Sequence, residues 1–134
     1  MAARELTVVI LNHTNEELQL EPNSPQLDHG KQLNPESPPP PYILAGESVI
    51  WSFKSTHIGA GIQGHVTYRM VGFEEDALVT FSWNVHVVSA NKFCHSTTLE
   101  GFTTRVFGGA GKQGVAVFIF EPIKRIEIED YCDR

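Results

Sequence analysis

The sequence predicts an all-β protein, an antiparallel β-sandwich. Apolar residues alternate with polar ones in about eight or nine short blocks separated by turn residues, which is typical of antiparallel sandwiches and barrels. Helical periodicity is hard to find in any of these blocks. One block, VAVFIF at residues 115–120, is apolar at every position. This run predicts a strand covered on both faces at the centre of the fold.

The first two blocks predict a β-hairpin. The segment ELTVVIL begins at residue 5, the turn residues NHTNE follow, and ELQLE would pair back on the first strand. From residue 22 to residue 41 the composition changes to Pro, Asn, Ser and Gln and ends in four consecutive prolines. Proline cannot donate ladder hydrogen bonds, so we expect residues 22–41 to form a surface loop. A polyproline ligand is the less favoured alternative.

The later blocks predict the remaining strands. In ESVIWSFKS the residues Val49, Trp51 and Phe53 share one face, and in ALVTFSWNV a buried face holds Val79, Phe81 and Trp83. The other predicted strands are HVTYRMVG from residue 65, KFCHSTTLE from residue 92, FTTRVFG from residue 102, GVAVFIFEP from residue 114 and KRIEIED from residue 124.

Length and composition bound the function classes. The 134 residues, 41% of them hydrophobic, suit one domain, 1–134, with a single core. The formal charge of -6 and the scattered Lys and Arg argue against nucleic acid as a partner. No apolar run approaches the twenty or so residues that span a bilayer. Two cysteines, Cys94 and Cys132, form no metal-binding pair, and we expect free thiols in a reducing compartment.

Two glycine-rich segments resemble phosphate-binding loops. Residues 59–64 spell G-x-G-x-x-G, but the following HVTYRM predicts a strand, whereas a nucleotide site needs a helix there. The second segment, FGGAGKQG, has Val106 and Gln113 where a Walker loop needs Gly and Ser or Thr. We therefore expect a strand-to-strand connection at the first segment and a hairpin loop at the second.

Catalytic and metal-binding signals are weak. The chain contains no G-x-S-x-G, H-E-x-x-H or C-x-x-C pattern, and its six histidines show no i, i+2 or i, i+4 pairing. The acidic residues 74–76 predict a solvated turn. We expect a protein that is not an enzyme and has no cofactor, although a metal site assembled from distant residues remains an alternative.

The most distinctive segment is FSWNVHVVSANKF at residues 81–93. A strand with inward aromatics is expected to lead into a loop that mixes apolar surface with uncharged hydrogen-bonding groups. Such a surface can take up a lipid head group or a sugar, and an ordinary loop is the alternative reading. The loop residues are Asn84, His86, Val87, Val88, Ser89 and Asn91.

The segments GAGIQGHVTYRM and VTFSWNVHVVSANKF resemble the central region of the sea-anemone actinoporins. The wider order is similar to that of fungal aegerolysins, with a first strand that ends in Asn12, HGK at residues 29–31, a turn before the Trp51 strand, and a Trp-Asn loop that ends in Asn91. The resemblance covers the chain from about Leu6 to Pro122. It identifies the chain as similar to a haemolysin-like member of this cytolysin and lectin-fold group.

This resemblance implies a non-enzymatic β-sandwich that binds sphingolipids or other zwitterionic head groups at membranes. The alternative that it also implies is a soluble lectin. It places Phe81, Ser82, Trp83, Asn84, Ser89 and Asn91 on a lipid-facing loop and Lys54 and Ser55 at a neighbouring strand end. The expected ligand-binding residues are Lys54, Ser55, Trp83, Asn84, His86, Val87, Ser89 and Asn91.

The resemblance also implies expectations about assembly and location. Actinoporins build pores with a long N-terminal helix, but here the first strand is predicted from about residue 4, so we expect no such helix. Pore formation would then need a partner protein, and a homo-oligomer is expected. The start MAARELTVV lacks the small-residue cleavage site of a signal peptide. We expect cytoplasmic synthesis and non-classical release, with action at membrane surfaces.

Overall fold

The computed structural model describes residues 4–32, 39–56, 59–86 and 89–123. Within these residues all the regular secondary structure is β-strand. Two further predictions, the KRIEIED strand and the state of Cys132, lie outside these residues. The strands are β1 Glu5–Asn12, β2 Leu18–Leu20, β3 Gln26–His29, β4 Lys31–Gln32, β5 Tyr42–Ile43, β6 Ser48–Lys54, β7 Ile62–Met70, β8 Leu78–Val85, β9 Lys92–Thr97, β10 Phe102–Gly108 and β11 Gln113–Pro122.

Two sheets pack face to face and confirm the predicted all-β sandwich. The first sheet, called sheet A, has the order β10-β11-β1-β6-β4. The second, sheet B, has the order β5-β2-β7-β8-β9, with β3 paired to β7 beside β2. Every ladder is antiparallel except β1–β11, which is parallel. β11, the last described strand, lies beside β1 in sheet A and runs in the same direction, so this pair is parallel.

The core lies between the sheets and follows the predicted alternation. In β1 the side chains of Leu6, Val8 and Ile10 are buried while the residues between them face outward. The same period of two buries alternate residues of β7 and β8. Large aromatic side chains fill the space between the sheets. The fully buried ones are Trp83, Tyr68, Phe53, Phe81, Phe118 and Phe120.

The predicted hairpin of β1 and β2 is wrong, because the chain changes sheets between these strands. Leu18 in β2 is fully buried and pairs with Met70 of sheet B. The buried amide of Asn12, at the end of β1, donates hydrogen bonds to the carbonyl oxygens of Glu16 at 2.8 Å and Ile43 at 3.2 Å. The turn is therefore held as a crossover between the sheets. Its backbone polar groups are satisfied by a side chain, where a hairpin ladder would have used the partner strand.

The predicted surface loop at residues 22–41 is wrong in part, because it contains β3 and β4. β3 pairs with β7 in sheet B and β4 pairs with β6 in sheet A, so the chain passes between the sheets at Gly30. Gly30 has a φ of +98°, and a Cβ there would lie 2.9 Å from the Lys54 carbonyl oxygen. Residues 33–38 fall outside the described part. The end of the segment contacts the core, since the Tyr68 hydroxyl donates to the Pro40 carbonyl oxygen at 3.1 Å.

The apolar run VAVFIF lies in β11, and the expectation that both of its faces are covered is wrong in part, since on the outer face Ile119 is buried but Val115 is not. Ala116, Phe118 and Phe120 are fully buried, but Val115 is 50% exposed on the outer face of sheet A. The central strand of sheet A is β1, with β11 beside it. Consecutive apolar residues therefore do not establish two-sided burial, because no third layer covers this outer face in the described part of the chain.

Both predictions for the glycine segments are confirmed. Residues 59–61 connect β6 of sheet A to β7 of sheet B, and a strand follows directly. Gly64 lies within β7, where a Cβ would meet the Gln26 carbonyl oxygen at 2.5 Å and the Trp83 ring at 3.1 Å. The second segment closes the β10–β11 hairpin, and Gly108, Gly109 and Gly111 all have positive φ.

Candidate functional site

A cleft of about 380 Å³, called the end cleft, opens at one end of the sandwich. Four parts of the chain meet there: the residue before β1, the end of β8, the turn that leads into β9, and the glycine loop between β10 and β11. The loops can approach because glycine dominates one of them. The lining residues are Arg4, His86, Ser89, Ala90, Asn91, Phe93, Gly108, Gly109, Ala110, Gly111 and Lys112.

One wall of the end cleft is held by Asn91. Its side-chain amide nitrogen donates to the carbonyl oxygens of Gly109 at 2.6 Å and Gly111 at 3.0 Å. Behind these bonds the Phe93 ring packs directly on Gly109, where a Cβ would come within 2.2 Å of a ring carbon. The shape of this wall therefore depends on an amide at position 91 and on the absence of a side chain at position 109.

The opposite wall is held by backbone hydrogen bonds around Arg4. The Arg4 amide donates to Ser55 Oγ at 3.1 Å, and the Ser55 amide donates to the Arg4 carbonyl oxygen at 2.9 Å. The next amide, that of Glu5, donates to the Lys112 carbonyl oxygen at 2.7 Å. Ser55 is 3% exposed, so its hydroxyl is used within the protein and positions Arg4 at the cleft.

The electrostatics of the end cleft differ from those of the whole chain. Arg4 and Lys112 contribute positive charge, and none of the lining residues is acidic, although the chain carries a formal charge of -6. His86 Nε2 is buried and has no hydrogen-bond partner among the described residues. Chemically, two cations with a histidine in a concave site suit an anionic oxygen group such as a phosphate.

Two predicted loop residues lie in the core, which corrects the expectation that they face a ligand. Phe81 and Trp83 belong to β8 and point between the sheets, with exposures of 0% and 2%. The strand extends as far as Val85, so alternation turns these aromatics inward and turns Ser82 and Asn84 outward. Trp83 is therefore a core residue, although it also lines the cleft on the outer face of sheet B that contains Asn84.

The other predicted residues fall into separate groups. His86, Ser89 and Asn91 line the end cleft, and Ser55 lies behind it through its bonds to Arg4. Lys54 instead lies on the outer face of sheet A, paired with Glu5. Val87 lies outside the described residues.

Asn84 lies in another, smaller cleft of about 250 Å³ on the outer face of sheet B. Gln63 is its register partner on β7, and Lys92 is its partner on β9. His65 and Asp28 also line this cleft, which we call the side cleft. Within the described chain, the side chains of Asn84, Gln63 and Lys92 donate or accept no hydrogen bond.

Sequence reasoning missed Arg4, Lys112 and Phe93 as lining residues of the end cleft. Arg4 and Lys112 are more than a hundred positions apart, and neither belongs to a basic cluster. They meet because β1 and β11 pair in parallel, from Glu5 with Gln113 onward. The available signal is Lys112 inside the glycine loop, because a loop lysine can contribute positive charge to a site without a Walker motif.

No group of three or more His, Cys, Asp or Glu side chains is arranged to hold a metal ion in residues 4–32, 39–56, 59–86 and 89–123. Among the described residues, Cys94 has a free and exposed thiol. In the same ranges, no helix is long and apolar enough to cross a membrane.

Solved structures show where this fold occurs. No protein-family model and no curated protein matches the sequence. The lipid-binding protein Nakanori superposes with a TM-score of 0.74 at 10% identity, over 90% of this chain and 72% of that one. The RahU protein, solved in complex with a Tris molecule, gives a TM-score of 0.69 at 15% identity over 93% and 99% of the two chains. These similarities show a shared sandwich fold, which agrees with the fold implied by the actinoporin and aegerolysin resemblance. Membership of those families stays a prediction.

Proposed function

We propose that the protein binds phosphate-bearing lipid head groups at membrane surfaces through the end cleft, without covalent chemistry. The observation that carries the proposal is the placement of Arg4 and Lys112 in a cleft without acidic residues, on an otherwise acidic chain. Charged donors form the stronger hydrogen bonds to phosphate oxygens. The shared fold with Nakanori, a lipid-binding protein, supports this choice of ligand class.

Zwitterionic head groups, including those of sphingolipids, suit the charge distribution best. A formal charge of -6 repels strongly anionic membrane surfaces, and this repulsion acts over about 8 Å at physiological ionic strength. A local positive cleft still attracts the phosphate of a lipid whose net charge is zero. The selectivity expected is therefore for phosphatidylcholine or sphingomyelin over phosphatidylserine.

Vesicle sedimentation tests the proposal. Vesicles of phosphatidylcholine, sphingomyelin with cholesterol, and phosphatidylserine would be pelleted with the protein and with the double variant Arg4→Gln/Lys112→Gln. The apparent dissociation constant should rise at least about tenfold in the double variant, since both charged contacts are lost. Arg69→Gln removes one positive charge and is the charge-matched control for the single variants Arg4→Gln and Lys112→Gln, which would be pelleted alongside, because Arg69 binds Gln19 near the opposite end of β7. Failure to bind any of these vesicles contradicts the proposal, as does an equal loss in the control.

Haemolysin-like activity belongs to the same proposal, in the form that needs a second protein. Among the described residues the first strand begins at Glu5, and none of these residues forms an amphipathic helix. We propose that the protein supplies membrane recognition after non-classical release from the cytoplasm and that a pore-forming partner supplies the membrane-spanning part. Dye release from sphingomyelin vesicles should therefore not occur with this protein alone, and release by the isolated chain would contradict the need for a partner.

A lectin function is the second candidate, and the side cleft is the observation that favours it. Gln63, Asn84 and Lys92 offer amide and ammonium groups that make no hydrogen bond within the described part of the chain, the kind of donors and acceptors that bind sugar hydroxyls. A glycan array with the Asn84→Ala variant tests this candidate, with Ser96→Ala as the control on the same sheet face. Binding that survives Asn84→Ala unchanged rules out the side cleft as the sugar site.

A further inference from the structure

The outer face of sheet A carries an apolar row that crosses four strands. Ile50 pairs with Val9, Val9 pairs with Val117, and Val117 pairs with Phe107, so the four side chains stand side by side on β6, β1, β11 and β10. Ile50 is 66% exposed and Phe107 50% exposed. Val115, two residues before Val117 on the same face of β11, is also 50% exposed. We call these five residues the apolar row.

The fold does not require the apolar row. In an antiparallel sandwich the outer face of each sheet normally faces water and is polar. The outer face of sheet B follows this rule, because its central positions are Gln63, His65, Thr67, Thr80, Ser82, Asn84, Cys94 and Ser96. Only sheet A places large apolar side chains outward at neighbouring positions. Such a contiguous patch on a small protein marks an interaction surface more often than a chance grouping.

We propose that the apolar row is the centre of an interface with a second copy of this chain, formed by packing two sheet A faces together. Charge supports this partner. The outward positions of the strands of sheet A carry three cations, Lys31, Lys54 and Arg105, and two anions, Glu5 and Glu121. The face is thus nearly neutral on a chain of charge -6. Two copies can approach through it without the repulsion that their other surfaces exert.

The size of the face also suits a dimer. The five strands of sheet A contain 34 residues, which at about 4.8 Å between strands and about 3.3 Å per residue give roughly 540 Å² per copy, or roughly 1,100 Å² in total. That total lies at the lower end of specific interfaces, so a dimer with a dissociation constant in the micromolar range is expected. Flat sheet faces pack about 10 Å apart within about 30° of alignment, which two identical faces can satisfy by twofold symmetry.

A polar rim is already formed around the row. Arg105 binds Glu121 through two hydrogen bonds, of 2.6 Å and 3.2 Å, and its guanidinium carbon lies 5.2 Å from the Phe107 ring centroid. This arrangement holds Arg105 flat along the edge of the apolar row. An apolar centre with a fixed polar edge is the usual anatomy of a protein interface.

Sedimentation velocity of the full chain at about 5–200 µM, at physiological salt, tests the proposal. The wild-type protein should shift from monomer to dimer over this range. Ile50→Lys places two lysines in each dimer interface and should raise the dissociation constant at least about tenfold, with an unchanged melting temperature because the side chain is exposed. Ser96→Lys, an equal charge change on the outer face of sheet B, should leave the dimer intact.

Three outcomes overturn the proposal. A wild-type monomer at the highest concentration removes the interface directly. A monomer whose melting temperature falls in Ile50→Lys indicates that another part of the same chain covers the row. A monomer that binds vesicles and loses this binding in Ile50→Lys assigns the face to lipid. The dimer proposal does not rest on the lipid proposal. The sedimentation-velocity result therefore holds even if the wild-type protein binds no vesicles.

Discussion

The indole of Trp83 stacks on the phenyl ring of Phe53 across the two sheets, with ring centroids 4.8 Å apart and planes inclined by 25°. Phe53 belongs to β6 of sheet A and Trp83 to β8 of sheet B, so the pair joins the two layers of the sandwich. Gly64 leaves room for the indole edge, because a side chain there would lie about 3.1 Å from it. Trp83 is therefore a structural residue.

The first prediction concerns Trp83. Trp83→Ala should lower the free energy of unfolding by about 3–5 kcal/mol, since it removes a large buried side chain and leaves a cavity. Asn84→Ala, the outward neighbour on the same strand, should change stability by less than about 0.5 kcal/mol. Urea unfolding followed by far-UV circular dichroism measures both. If Trp83→Ala instead melts normally and loses vesicle binding, the assignment of Trp83 to the core packing is wrong.

The second prediction concerns Asn12, whose buried amide holds the crossover from sheet A to sheet B. Asn12→Ala should lower the free energy of unfolding by about 1–3 kcal/mol, because the buried Ile43 carbonyl oxygen loses a donor and the buried Thr14 hydroxyl loses one of its two acceptors. The exposed neighbour in the same turn serves as a control, and Asn15→Ala should be nearly neutral. Equal effects of the two substitutions in urea unfolding would contradict this role for the Asn12 side chain.

The third prediction uses two glycines of the hairpin loop that share a backbone conformation. Gly109 and Gly111 have φ values of +89° and +88°, so alanine at either position costs about 1–2 kcal/mol of backbone strain. At Gly109 the new Cβ would also collide with the Phe93 ring, whereas at Gly111 nothing lies within 4 Å.

The free energy of unfolding, measured by thermal unfolding, should therefore be lower in Gly109→Ala than in Gly111→Ala. The expected difference is at least about 1 kcal/mol, the usual cost of overpacking. Vesicle binding should also weaken in Gly109→Ala, because Phe93 is part of the end cleft wall. Equal stability of the two variants would show that Phe93 moves aside without cost.

The fourth prediction concerns alkaline pH. Burial raises the pKa of the Tyr68 phenol well above its ordinary value of 10. The unfolded chain therefore ionises first, so the stabilisation is complete below about pH 10 and is lost as the pH rises above it toward the folded pKa. The free energy of unfolding should fall by about 1.4 kcal/mol per pH unit in that window.

Tyr68→Phe isolates this contribution. The variant should lose about 1 kcal/mol at neutral pH, because the hydrogen bond to the Pro40 carbonyl oxygen is gone. Between pH 10 and pH 11 the free energy of unfolding should fall less steeply with pH in the variant than in the wild type. The difference between the two slopes is the contribution of one phenol. Parallel curves for the two proteins would assign the alkaline loss of stability to other groups.

Local patterns predicted the strands of this protein well and their partners less well. Alternation in ESVIWSFKS and ALVTFSWNV identified the inward faces of β6 and β8 correctly, because the period of two is a property of the backbone. The predicted pairing of β1 with β2 was wrong because partner choice depends on where buried groups find hydrogen bonds. The side-chain amide of Asn12 donates to the carbonyl oxygen of Ile43, which is 31 residues away in the sequence. No local sequence pattern predicts that contact.

Composition and short-range periodicity are enough to predict a β-sandwich, strand connections at the glycine segments, and a charge that disfavours nucleic acid. The location of the candidate site depends on contacts between residues far apart in the sequence, which form only in the folded chain. Arg4 and Lys112 meet because β1 and β11 pair in parallel, and Trp83 is withdrawn into the core because β8 continues to Val85. The apolar row likewise exists only through the register of four strands, since its residues are scattered from Val9 to Val117 along the chain.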